Sequence, residues 1–569
     1  CQRAPLHDYR CPWQKNASIK EYKGVLFMKL KKVLSVLALG VFMIPAMASA
    51  KEKILFIPID NRPVCLSYTV DTLKAAGWDI ETPPDEYIAS YNRVGDPDKL
   101  YQWLEDNALL ATDAVISTDS LIYGGLVPSR THNLDPKVLE DRTQRLLNFK
   151  KKFDCLRIYA YDTVMRSPHA SSAPVEPAYY AQWGPQIFRM GELKDKQEMK
   201  QITKKESMEL AELIKTIPAD IQTDLYTRRN KNVKVTEQLL TGVKNNAFDY
   251  FLLGKDDTAV HSDAHRDARH IDTIMKDLPD YKIRFFVGAD QLGLILLNRA
   301  VNKIHGTTPL VYPFYTEGQG ENTIPSYEDT TVKNTLREHI LAAGAFPVTK
   351  PDRADLVLAV NTPVKGPTPS AAGPLNNGVI KPATERFLNK IEQYVQKGKN
   401  VGVGDIAYGN GSDNALVKGL FTKTELFRVK MPPRAGIGPV ARNIPLAWTL
   451  GSYAGWNTCS NSLGYAIGQG LLRPYLNETD KNFLMKTRYL DEWAYEANVR
   501  QTVRADLIYP KQWVDGSLKP DQRAQAEAEV RKDMTAFAGK YFDPNEYGKV
   551  EFYLPWSRMF EVDVRKVEK

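Results

Sequence analysis

Tyr250-Phe251-Leu252-Leu253-Gly254-Lys255-Asp256-Asp257 is a short apolar run that stops abruptly in polar, catalysis-competent residues. The construction recurs on both sides of it. Ile54-Leu55-Phe56-Ile57 leads into Asp60-Asn61-Arg62-Pro63, and Ala114-Val115-Ile116 into Ser117-Thr118-Asp119-Ser120 and then Tyr123-Gly124-Gly125. Leu156 to Tyr161 leads into Asp162 and Met165-Arg166; Phe285-Phe286-Val287 into Gly288-Ala289-Asp290-Gln291; Val401-Gly402-Val403 into Gly404-Asp405. Runs of this length bounded by turn signals suit strands buried on both faces, as in α/β proteins. In such folds the loops at the carboxyl ends of the strands build the active site.

Working outward, candidate strands fall near 54–59, 78–82, 114–117, 156–161, 249–254, 283–288, 355–360, 401–405 and 447–455, with an apparent strand pair around 549–564, mostly separated by amphipathic helical patterns. Ala300 to Asn322 reads as a connection because Pro313, Gly318 and Gly320 interrupt it. Alternating strands and helices predict an α/β class with a largely parallel sheet. About ten strands exceed the eight of a closed barrel. The predicted architecture is therefore a (β/α)-barrel-like fold with extra strands, with two doubly wound parallel sheets meeting near residue 305 as the alternative. The main domain spans 51–475, and 476–569 forms a mainly helical C-terminal region with short strands. The Pro/Gly/Ser-rich stretch Thr362 to Gly378 reads as a mobile active-site loop or an insertion.

The first 50 residues read as something other than fold. Met28-Lys29-Leu30-Lys31-Lys32, the apolar stretch Val33 to Ile44 and Ala48-Ser49-Ala50 have the form of a secretory leader with a small-residue cleavage site. Residues 1–27 read as an upstream extension. The expected product is exported, periplasmic or extracellular, with no membrane span after leader removal. The leader region holds eight of the 76 Lys and Arg and two of the 68 Asp and Glu, so its loss lowers the net charge from +8 to +2. That balance gives no support to a nucleic-acid partner. Cys65, Cys155 and Cys459 remain; no C-x-x-C occurs, and Cys65 and Cys155 read as buried small apolar residues.

Ile57-Pro58-Ile59-Asp60-Asn61-Arg62-Pro63-Val64, Tyr123-Gly124-Gly125-Leu126 with Ser129-Arg130, Met165-Arg166, Gly254-Lys255-Asp256-Asp257 and Gly455-Trp456-Asn457-Thr458 occur in that order. Together they resemble a bacterial family catalogued as domain of unknown function 4127, over essentially all of 51–569. The resemblance implies no activity. The family pattern carries an acidic residue after Asp290, where this chain has Gln291. More distantly, the Asp-Asp pair and the later Trp456, Asn457 and Asn461 are similar to the sites of barrel N-acetylhexosaminidases, in which adjacent carboxyl groups serve substrate-assisted hydrolysis.

Asp256 and Asp257 are the sharpest catalytic candidates. Adjacent carboxyls repel, so one stays charged while the other holds its proton, the division of labour that glycoside hydrolysis requires. The competing reading is that Asp257 or Thr258 caps the next helix. Arg62 suits bidentate binding of a carboxylate or phosphate, with Arg130 and Arg166 alike, although Pro63 can equally open a helix capped by Asp60 or Asn61. Asp119 and Tyr123, beside two glycines, and Asp162, Asp290 and Asp405 complete the strand-end set. Trp456, flanked by Asn457 and Asn461, is the expected aromatic platform, against the rule that large aromatics are mostly core. His261 and His265 are four apart, as metal-ligand pairs are, but the Glu of H-E-x-x-H is absent and alternating His, Arg and Asp also describe a solvated face. No metal and no cofactor is assigned. No dinucleotide fingerprint, P-loop or G-x-S-x-G elbow occurs.

The expected function is an exported, glycoside hydrolase-like enzyme acting on an acidic or amino sugar in a small-molecule or oligosaccharide ligand. The alternative is a non-catalytic envelope binding protein that holds an anionic ligand with Arg62, Arg130 and Arg166.

Overall fold

In the first half of the chain, six short runs become strands: β1 (Lys53–Ile57), β2 (Asp79–Glu81), β3 (Asp113–Ser117), β4 (Arg157–Val164), β5 (Tyr250–Lys255) and β6 (Ile283–Val287). They form one parallel sheet in the order β2-β1-β3-β4-β5-β6. A second parallel sheet holds β7 (Leu310–Tyr315), β8 (Phe346–Pro347), β9 (Leu356–Asn361), β10 (Val401–Asp405) and β11 (Ser452–Ala454), in the order β11-β10-β9-β7-β8. The structure, a computed structural model, describes residues 52–422, 444–542 and 550–567. The expected upstream extension and leader, 1–50, lie outside these residues.

The α/β class stands, and of its two expected arrangements the structure has the pair of open sheets rather than the barrel. The sheets also share a topology. Counted from its own first strand, each runs 2-1-3-4-5, the order of one common doubly wound fold, and the first sheet adds a sixth strand. The order reverses between β1 and β3 in one sheet and between β7 and β9 in the other, so each has a switch point where a crevice opens.

The second sheet contains two strands that the residue pattern hides, the two-residue β8 and its neighbour β7. Pro313 sits inside β7, where proline normally argues against a strand. Carbonyls of Pro309 and Val311 accept from the N–H groups of Phe346 in β8 and of Val348 just after it, so alternate residues along β7 face β8. Pro313 faces the same side, but β8 is paired only with Leu310 and Val311. The missing N–H of Pro313 thus falls where that edge is bare.

Helix Leu292–His305 lies on the first sheet and helix Cys459–Leu472 on the second, and the two helices pack together. Ile54, Phe56 and Val115 of one sheet therefore share a core with Leu356, Leu358 and Val360 of the other, through Leu294, Leu297, Leu463 and Ile467. Full burial of each such side chain is worth about 1.5–3 kcal/mol. The helices approach closely because position 468 is glycine: a Cβ there would lie 2.7 Å from Leu294. Three helices, Tyr180–Glu198, Lys204–Thr216 and Ala219–Lys244, form a satellite with its own small core.

The C-terminal region, as expected, is mainly helical, and its strands β12 (Val550–Tyr553) and β13 (Asp563–Lys566) pair antiparallel. It packs on the outer face of the second sheet. Its end returns to the first sheet's domain, where Tyr68 Oη donates to the Val562 carbonyl at 3.1 Å and accepts from the Val564 N–H at 2.9 Å. Cys65 is buried, but Cys155 is exposed, against the expectation that both are interior.

Candidate functional site

The carboxyl ends of both sheets open on one cavity of about 470 Å³. Arg62 reaches it from the segment after β1, Arg130 from helix Leu126–Thr131 after β3, and Arg166 from the end of β4. Asp256 and Asp257 follow β5, and Asp290 follows β6. From the other domain come Tyr327, Asn410, Asn457 and Asn461. The C-terminal region supplies Asp515, Trp556, Arg558 and Phe560. The turn after β6 requires glycine: Gly288 has φ +113°, and a Cβ there would lie 2.0 Å from Gln291 Nε2.

The cationic side chains of the cavity are engaged by carboxylates. Arg62 bonds Asp60 through Nε and Nη2 and Asp290 through Nη1 and Nη2, at 2.5–3.0 Å from Asp290. Arg130 donates to Asp256 Oδ2 through Nε at 3.1 Å and also through Nη2. Arg166 bonds Glu176 at 2.5 Å and Asp257 at 3.0 Å. Lys255 meets Asp329 at 2.6 Å, and Arg558 meets Glu561. The guanidiniums thus hold carboxylates in position, and most of their donors are already used.

This pairing separates the two adjacent acids. Burial disfavours charge on Asp256, but Arg130 and Arg166 outweigh it and hold its carboxyl below the ordinary range. Asp256 Oδ1 also accepts the Asp257 N–H at 2.9 Å. Asp257 is pushed up to about 6, first by burial and then by the Asp256 charge, against the pull of Arg166. Its side chain keeps 27% of its exposure. Asp257 is not spent as a helix cap: the next helix, Asp263–Met275, is capped by Ser262, whose side chain accepts from the His265 N–H.

Several expected site residues sit elsewhere. Asp60 is buried beneath Arg62, and Asn61 lies beside the cavity, accepting from Trp556 Nε1 at 2.8 Å and donating to Asp85. Asp119 and Asp162 are fully interior. Asp162 accepts from Thr118 and Thr236, and Asp119 from Thr163. Burial raises both, Asp162 to about 6, so they serve as hydrogen-bonded packing groups. Tyr123 is likewise buried. Asp405 is enclosed by Asn361, the Asp413 N–H and Tyr453, and burial with the Asp413 charge raises it to about 7. Trp456 is only 2% exposed and belongs to the core between the sheets, not to a platform. The loop 362–378 does not line the cavity; Asn376 braces it internally against the Ala371 carbonyl and ties it to the Ser412 carbonyl.

The tryptophan that does line the cavity, with Tyr327 and Phe560, is Trp556, on which Arg62 and Arg558 sit at 5.2 and 4.8 Å from the ring centroid. Nothing in its local pattern, Leu554-Pro555-Trp556-Ser557, distinguishes it from a core tryptophan. Glu176 and Lys255 were also missed; the position of Lys255 directly before the Asp pair was the available signal. Asn461 Nδ2 lies 3.4 Å from Asp290 and 3.5 Å from Asn457 Oδ1, while its own buried Oδ1 has no hydrogen-bond partner. That orphan acceptor lies on a cavity-lining residue and suits a donor on a ligand.

No curated protein and no solved structure matches the chain. A family model does, over residues 54–565, a span that contains every side chain of the cavity and, but for Lys53, both sheets. The chain therefore belongs to the family described as protein of unknown function DUF4127.

Proposed function

We propose that the chain is a glycoside hydrolase-like enzyme that acts on an acidic or amino sugar. The observation that carries this reading is the adjacent pair Asp256 and Asp257, one held ionised and one raised to about 6, on the wall of one polar cavity. Asp257 is the general acid: it gives its proton to the leaving glycosidic oxygen as the bond to the anomeric carbon breaks. Asp256 is the fixed negative charge beside the developing positive sugar ring. Water then adds to the anomeric carbon and returns a proton to Asp257, so the acid is regenerated. Asn457, Asn461 and Trp556 contribute polar and aromatic contacts to the ligand.

The alternative of a binding protein for an anionic ligand is less well supported, because Arg62, Arg130 and Arg166 already bond carboxylates. A panel of chromogenic glycosides, N-acetylhexosaminides included, separates the readings. Turnover that disappears in Asp257→Asn supports the hydrolase; ligand binding without turnover across the panel supports the binding protein. Export is part of the proposal, since it rests on the leader pattern of 28–50. N-terminal sequencing of exported protein should read Lys51-Glu52-Lys53. Among the described residues no helix is long and apolar enough to cross a membrane.

A further inference from the structure

Outside the cavity, Asp195 meets the two histidines that the sequence places four residues apart. Its Oδ2 lies 2.6 Å from His265 Nδ1 and 3.3 Å from His261 Nδ1. One ligand atom from each of the three residues lies within 4.8 Å of the other two, and no other such group occurs among the described residues. Asp195 comes from helix Tyr180–Glu198, in the helical satellite, so the third member of the set was invisible to local spacing.

We propose that Asp195, His261 and His265 form a binding site for a divalent transition metal of the zinc class. Two imidazoles and one carboxylate are a borderline donor set that suits zinc, whereas calcium and magnesium favour all-oxygen shells. For metal–ligand bonds of about 2.0–2.1 Å, neighbouring ligand atoms of a tetrahedron lie about 3.3 Å apart. The His261–Asp195 separation already has that value, and the His265 contact, at 2.6 Å, has to open by about 0.7 Å, a side-chain rotation of two partly exposed rings. The Asp195 side chain is fully buried, while His261 and His265 keep 18% and 20% exposure. The site is thus closed behind and open in front, which gives an entry path and room for a water as fourth ligand.

The surroundings hold the set in place. Arg269 bonds the other carboxylate oxygen, Oδ1, at 2.6 Å and so fixes the carboxylate plane, the part an outer shell plays in metal sites. Glu198 shares both Arg269 and Arg266, which leaves the Asp195 charge only partly neutralised. None of the three residues lines the cavity. The metal is therefore structural. It joins the helical satellite to the segment that begins four residues after Asp257, and fixes the loop on which the acid pair is carried. This inference stands on its own geometry and does not depend on the hydrolase reading.

The test uses untagged full-length protein dialysed against a chelator. Calorimetric titration with zinc should show one equivalent bound, with a rise in melting temperature. Cobalt(II) in its place should give the intense visible absorption of a four-coordinate site. His261→Ala and His265→Ala should each weaken zinc binding by more than the roughly 10- to 100-fold that loss of an outer-shell partner costs. His270→Ala, on the same helix but bonded to Glu237, should leave it unchanged. Less than one equivalent of zinc, a pale six-coordinate cobalt spectrum, or wild-type binding in the two variants overturns the site. If either variant fails to fold, the wild-type stoichiometry and cobalt spectrum decide.

Discussion

Arg130 grips a single oxygen of Asp256 with two of its nitrogens, and the charge so fixed on Asp256 adds to burial in raising the next carboxyl, Asp257, to about 6. A carboxylate pinned in its charged form beside a second, buried carboxyl raises the proton affinity of the second. The two positions should therefore respond differently to the same change. Asp257→Asn removes one of two repelling groups and leaves Arg166 its bond to Glu176, so melting temperature should hold or rise while turnover drops by about 10²- to 10⁴-fold. Asp256→Asn strips a buried guanidinium of its main counter-charge and should also destabilise the fold, by about 3–5 kcal/mol. Calorimetry and turnover on the same two variants check this. Full activity in both removes the pair from the mechanism.

The same division fixes the pH profile. Asp257 must carry its proton to act as acid, so kcat/KM should fall tenfold per pH unit above about 6. Asp256 must be ionised, and its carboxyl is held low, so the acid limb should lie below the usual carboxylate range. A profile that stays flat from pH 6 to 8 excludes Asp257 as the acid.

Stability should run against the habit of carboxylate-rich proteins. Burial raises Glu328, Asp405 and Glu492 each to about 7, helped at Asp405 by the Asp413 charge. Unfolded, such groups lose their protons near 4. Between those limits the folded chain holds more protons, so stability falls as pH rises from about 4 to 7. Glu478 and His339 work the opposite way. Ion pairs outweigh burial and hold Glu478 to about 2, so its stabilisation is lost only below about 4.5. Burial holds His339 to about 4 and offsets one of the three carboxyls between about 4 and 6.5. Melting temperature should be higher at pH 5 than at pH 7.5. Glu328→Gln, which keeps an acceptor for the Ser460 N–H, should flatten the slope by at most about 1.4 kcal/mol per pH unit. A melting temperature that climbs from pH 5 to 7.5 rules this out.

Most of the strands, the α/β class and most of the acid–arginine cavity were legible because each depends on local order: an apolar run, then a polar stop. What was not legible depends on distance. Pro313 hid β7, since only the two-residue length of β8 makes a proline tolerable there. The common 2-1-3-4-5 order of the sheets is a property of strand placement and leaves no repeat in the residues. Asp60, Asp119, Asp162 and Asp405 share the strand-end position of Asp256 and Asp290 but turn inward to threonines, amides, a tyrosine or an arginine. Position along a strand is read from sequence more readily than the partner a side chain finds. Asp195 lies 70 residues from His265, too far for any spacing rule to find.

The two tryptophans give the sharpest separation of site from scaffold. Trp456 stands beside Asn457 but is enclosed between the sheets, whereas Trp556 arrives from 495 residues beyond Asn61 and forms part of the cavity wall. Trp556→Ala should weaken ligand binding about tenfold, the loss of roughly 1.4 kcal/mol of aromatic contact, with kcat changed little. Trp556 has φ +58°, a left-handed backbone that glycine adopts freely. Trp556→Gly should therefore show the same rise in KM with a smaller drop in melting temperature than the alanine variant. Trp456→Ala should do the reverse, costing about 3–5 kcal/mol of stability through a cavity between the sheets. In Trp456→Phe, which keeps most of the packing, KM should be unchanged. The KM-against-kcat split, read with calorimetry on all four variants, tests the assignment. A KM that moves in Trp456→Phe and stays fixed in Trp556→Gly would return the platform to Trp456.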